Sequence, residues 1–214
     1  MKEIKISPNP YETKIKLYKE RIINLKPGLT VLVGCNGCGK STLIKEISCY
    51  LESISTPFFV YDNEKNNRGR AIGQAMAYGD VSRSATLMSS SEGEVILVNM
   101  GNCAGEIGKF AKENCNEKEL WILLDAIDSG LSIDNIVDMK KYLFDTIIKH
   151  NPNKDVYIIV SANEYEMCNG ENCFDTYSGK YIHFNNYDEY RQFILESKGI
   201  KDKRYDSDLS DNKN

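Results

Sequence analysis

Between the apolar run Leu29–Val33 and a helical pattern beginning at Lys40 stands Gly34-Cys35-Asn36-Gly37-Cys38-Gly39-Lys40-Ser41. It fills every fixed position of G-x-x-x-x-G-K-[ST], a loop whose chemistry requires a strand before it and a helix after it. The glycines let main-chain N–H groups converge on phosphate oxygens, and the helix N-terminus adds the positive end of its dipole. On this reading Gly34, Asn36, Gly37, Cys38, Gly39, Lys40, Ser41 and Thr42 hold a nucleotide. The Lys40 ammonium is expected to reach the β- and γ-phosphates, and the Ser41 hydroxyl to bind Mg²⁺.

A second apolar run, Leu120–Leu124, ends in the carboxylate of Asp125. An acid at a strand end beside such a loop is placed to hold Mg²⁺ through a water, so Ser41 and Asp125 are the expected metal residues. Around these motifs, short apolar runs alternate with amphipathic segments. Strands are predicted at 29–33, 57–61, 120–125 and 156–160, and helices at 40–51, 91–114, 132–150 and 187–197. Residues 2–25 alternate apolar and charged positions, interrupted at Pro8–Pro10, which predicts a half-exposed antiparallel unit. A hairpin turning at Ser178-Gly179 is expected over 175–184. The pattern as a whole predicts an α/β domain with a mostly parallel sheet wrapped by helices over residues 1–200. Residues 201–214 are charged and apolar-poor, and are expected to be disordered.

The chain has 214 residues and a net charge of −4, so no global basic field draws it to nucleic acid or acidic lipid. Its longest apolar runs are too short to cross a bilayer. Seven cysteines, an odd number, and a polar N-terminal segment predict a reducing, cytoplasmic setting. Cys35 and Cys38 form a CxxC, but both fall on variable positions of the loop. Neither they nor Cys168 and Cys173 have the neighbours a zinc site needs.

Taken together, these motifs resemble the ATP-binding-cassette ATPases, closer to their soluble chromosome-structure and DNA-recombination branch than to transporter subunits. The resemblance spans about residues 22–184. It rests on Gly34–Thr42, on Ser89-Ser90-Ser91-Glu92-Gly93-Glu94, on Leu123-Leu124-Asp125 followed by Ser129-Gly130-Leu131, and on Ile158-Ile159-Val160-Ser161. It implies a P-loop NTPase sandwich with an N-terminal antiparallel β layer. The short chain between Tyr61 and Ser91 leaves room for only a reduced helical subdomain. It also implies ATP and Mg²⁺ as ligands, and a homodimer in which Ser91 and Gly93 of one copy cap the γ-phosphate bound by the other. By analogy, DNA or a protein effector is the further partner, and no membrane is involved.

Two positions depart from the family. Ala126 stands where a glutamate usually polarises the attacking water, and Asn163 falls where the switch histidine is expected. A carboxylate base is worth about 10²–10⁴ in rate, so a slow ATPase is expected. The alanine belongs either to a natural weak hydrolase or to a Glu→Ala change that traps ATP. Asp125, Asp128 and Asn163 are the candidate catalytic residues, Asp128 as the nearest substitute base. A small-molecule kinase and a non-hydrolysing ATP-binding adaptor are the alternatives. The position of the family's glutamine loop is open among Gln74, Asn63 and Glu64. Tyr11 or Tyr18 is a candidate adenine platform, and the glycines at 93, 101, 105 and 108 suggest a close approach by another backbone or a ligand. Arg68, Arg70 and Arg83 read as solvated loop residues, Trp121 as core, His150 as a helix-end cation and His183 as structural.

Overall fold

The computed structural model describes residues 1–7, 17–62, 73, 76–82, 85 and 92–211. Its centre is a six-stranded sheet in the order β4-β5-β6-β3-β7-β8, with β3 at Gly28–Val33, β4 at Phe58–Asp62, β5 at Glu119–Asp125, β6 at Asp155–Ser161, β7 at Asn172–Asp175 and β8 at Lys180–Ile182. All neighbouring pairs are parallel except β7–β8. A separate antiparallel pair joins β1, Lys2–Lys5, to β2, Ile22–Leu25. The fold is α/β, as the alternation of runs predicts.

Strands β3, β5 and β6 read as near-continuous apolar runs because both faces are covered. On one face Leu32, Trp121, Leu123, Tyr157 and Ile159 pack with Leu43, Ile44, Ile47 and Leu51 of helix α1, Lys40–Ser53, and with Ile4, Ile23 and Leu25 of the small sheet. Trp121 stacks on Tyr157 at 4.0 Å between ring centroids, and its indole N–H donates to Glu119, which also pairs with Lys2. It is core, as expected.

On the other face Val31, Val33, Leu120, Ile122, Leu124, Val156, Ile158 and Val160 meet four helical elements. These are α2 at Glu92–Glu113, the run α3 at Ile133–Met139 with α4 at Asp145–His150, α5 at Tyr165–Cys168, and α6 at Tyr187–Asp211. The turn between α3 and α4, Lys140–Phe144, is a π-helix. From it the Lys140 ammonium reaches the carbonyls of Glu166 and Asn169 and pairs with Glu171, tying this helix to α5. His150 bonds the Thr146 carbonyl within its own last turn.

One expectation is corrected. Strand β7 begins at Asn172, ahead of the hairpin predicted from 175, because Cys173 and Phe174 are fully buried beside β3. Among the described residues, a Cβ on Gly101, Gly105 or Gly108 would meet nothing within 4 Å, so no described part of the chain closes on these glycines. Residues 201–211, which were expected to be disordered, continue helix α6 to Asp211. Its charged side chains have partners there: Lys201 donates to the Asn36 carbonyl, and Arg204 donates to the Leu17 carbonyl and lies over the Tyr177 ring. Among the described residues no helix is long and apolar enough to span a membrane.

Candidate functional site

The glycine-rich loop leaves the carboxyl end of β3, an interior strand flanked by β6 and β7, and runs directly into α1. Ligands of open α/β sheets collect at such carboxyl ends. A tight turn forms over Cys35–Cys38, with the Cys38 N–H donating to the Cys35 carbonyl at 3.1 Å. Gly37 lies in it at φ +76° and Gly39 at φ +110°, left-handed positions where a side chain would be strained. Gly34, at φ +147°, has a second constraint. A Cβ there would stand 2.5 Å from the Cys38 sulfur.

Lys40 is buried and folds back over the loop to donate to the Gly34 carbonyl at 2.8 Å. Ser41 follows it, and its hydroxyl donates to Asp125 Oδ1 at 3.0 Å. The expected metal residues, 84 positions apart in sequence, are thus in contact. A hydroxyl beside a carboxylate is an oxygen donor pair of the kind a hard divalent cation takes. Among the described residues no cluster of three or more His, Cys, Asp or Glu side chains forms a metal centre of its own. Cys35 and Cys38 are buried free thiols, and burial pushes Cys38 up from the ordinary thiol range.

A residue with no expected role completes the strand-end cluster. Ser161, at the end of β6, is 3% exposed, and its hydroxyl donates to Asp125 Oδ1 while accepting the Ala126 N–H at 2.8 Å. Asp125 Oδ1 therefore receives two hydroxyl donors. Its signals in the sequence were a polar residue closing an apolar strand and its place at the end of the Ile158–Ser161 motif. Ala126 itself takes φ +51°, a conformation that costs a non-glycine residue about 1–2 kcal/mol.

Asp128 does not stand as an exposed base. It is fully buried, and its Oδ2 accepts the main-chain N–H groups of Asn163 at 2.7 Å and Glu164 at 2.8 Å. Among the described residues Oδ1 has no hydrogen-bond partner. Burial raises its pKa, against the lowering effect of those two N–H bonds. Asn163 is held at both ends of its main chain, since its carbonyl also accepts the Tyr190 hydroxyl at 2.7 Å. Its side chain is exposed. Asp128 thus ties the segment after β5 to the segment after β6.

Tyr18 is no adenine platform. It is 2% exposed and its hydroxyl donates to the Gly39 carbonyl at 3.0 Å, bracing the loop from outside. Gly93 lies in the first turn of α2. Ser91, its expected companion, falls outside the described residues, as do Tyr11, Asn63, Glu64, Arg68, Arg70, Gln74 and Arg83. No protein-family model matches the chain, and no curated protein sequence matches it.

Proposed function

We propose that the protein binds magnesium-bound ATP in the Gly34–Thr42 loop and acts as a nucleotide-gated switch with slow hydrolysis. One observation carries the reading: at the end of β3, an ammonium, a hydroxyl and a carboxylate converge on a glycine turn that opens a helix. In this reading Lys40 exchanges the Gly34 carbonyl for phosphate oxygens. Ser41 and Asp125 hold the magnesium ion, whose charge offsets that of the triphosphate. Ser161 keeps the Asp125 carboxylate turned toward Ser41.

Slow chemistry follows from what is missing at the attacking-water position. Ala126 has no carboxylate, and Asp128 spends one oxygen on two main-chain donors inside the core. That pair of facts also favours the second reading, an ATP-binding adaptor that does not hydrolyse. The resemblance to the ATP-binding-cassette ATPases extends the proposal to a P-loop NTPase sandwich and to a homodimer closed around nucleotide. In that dimer Ser91 and Gly93 of each copy serve the other copy's site, and DNA or a protein effector responds to closure.

Titration calorimetry of the full chain with MgATP tests the core of the proposal. Uptake by the wild type and its loss in Lys40→Met is the expected result; a folded wild type that takes up no MgATP refutes it. Size exclusion with and without MgATP tests closure into a dimer. Phosphate release separates slow hydrolase from adaptor.

A further inference from the structure

The loop is braced from the side opposite Lys40 by helix α6, more than 160 residues further along the chain. Ser197 is 6% exposed and its hydroxyl accepts the Cys35 N–H at 3.1 Å. One helical turn on, the half-buried Lys201 donates to the Asn36 carbonyl at 3.0 Å. Its ammonium lies 3.8 Å from where a Cβ of Gly37 would stand. Positions 197 and 201 share a helix face, and Arg204 on the same stripe bonds the Leu17 carbonyl.

Peptide planarity turns these contacts into a statement about direction. In a trans peptide the C=O and the following N–H point to opposite sides, and the described chain has no cis peptide. In the Gly34–Cys35 peptide the N–H points to α6, so the carbonyl points away from it, where Lys40 meets it. In the Asn36–Gly37 peptide the carbonyl points to α6, so the Gly37 N–H points away from it. The Gly37 N–H and the Lys40 ammonium therefore lie on one side of the loop, and α6 holds the other.

We infer that Lys201, with Ser197, is a positioning residue of the nucleotide site. By drawing the Asn36 carbonyl outward it aims the Gly37 N–H at the triphosphate, so α6 is a working part of the site. The inference rests on the MgATP reading above. A glycine at φ +76° has no side chain to resist rotation of this peptide, so the direction of its N–H depends on an external hold.

Calorimetry of the full chain with the magnesium complex of the slowly hydrolysed analogue ATP-γ-S tests it, using Lys201→Met and Lys201→Arg. Methionine keeps the aliphatic stem and removes the donor; arginine keeps a cationic donor. Lys201→Met is expected to weaken uptake about fivefold to tenfold, the loss of one half-exposed charge-assisted bond. Lys201→Arg is expected to stay within about twofold of wild type, and the thermal midpoint of nucleotide-free Lys201→Met to move by under about 2 °C. A purely structural strut would lower the midpoint and leave affinity alone. The inference falls by itself if wild type binds, Lys40→Met does not, and Lys201→Met binds like wild type. It also falls if methionine and arginine weaken binding equally. If the folded wild type takes up no analogue, it falls together with the MgATP reading.

Discussion

Removing the Asp128 carboxylate separates a structural acid from a catalytic one. In Asp128→Ala the N–H groups of Asn163 and Glu164 lose their shared acceptor inside the core. Each orphaned, partly buried donor costs about 1–2 kcal/mol, and release of a buried charge offsets part of that, so a net loss of about 1–3 kcal/mol is expected. For a chain of this size that lowers the thermal midpoint by roughly 3–9 °C. Asp128→Asn keeps an amide oxygen as acceptor, so its cost is about 1 kcal/mol. The pH dependence has a definite sign. Burial raises this carboxyl in the native state, so the folded protein binds the proton more readily than the unfolded chain. Wild-type stability therefore falls as pH rises from the ordinary aspartate range through the raised native value, and the penalty stays above it. Asparagine does not titrate, so the wild-type advantage over Asp128→Asn should grow on acidification from pH 8 toward pH 4. Urea denaturation of the three proteins across that range measures it. A pH-independent gap, or one that shrinks in acid, would refute the reasoning. So would a fall of about 10² or more in phosphate release for Asp128→Asn, because a base is lost on that scale and a strut is not.

Other outcomes follow from the same cluster and from the sheet edge. Ala126→Gly relieves the left-handed conformation at φ +51° and should stabilise the fold by about 0.5–1 kcal/mol after the entropy glycine adds to the unfolded chain, read from the urea midpoint. Ser161→Ala removes the hydroxyl that accepts the Ala126 N–H and donates to Asp125; it should cost about 1–3 kcal/mol and weaken the response of MgATP uptake to magnesium concentration in calorimetry. Partial burial would raise the Glu119 carboxyl, but the bonds from Lys2 and Trp121 outweigh it and hold the group below its ordinary range. A depressed native value stabilises above the unfolded pKa and is lost as pH falls through the native one. Lys2→Met should therefore cost under about 1 kcal/mol at pH 7, with the difference from wild type vanishing in acid unfolding curves near pH 3.

Patterns within a few residues of each other were legible in the chain. The loop at Gly34–Thr42 declared its strand and helix because its glycine, lysine and serine spacing is that of a turn joining the two. Strands β5 and β6 declared themselves as apolar runs because they are covered on both faces. Contacts across the sheet were not legible. Ser161 reaches Asp125 over 36 positions, and Ser197 reaches Cys35 over 162. A serine hydroxyl carries no local mark of its partner. The charges of Lys201 and Arg204 carried no local mark of the carbonyls they meet. Asp128 follows a strand-end acid and so invites a chemical role; that it accepts two main-chain donors was not legible in the sequence. Residue spacing along the chain picked out the groups proposed to serve a triphosphate. Only the packing of strands and helices decided which way those groups point, since direction is set by partners distant in sequence.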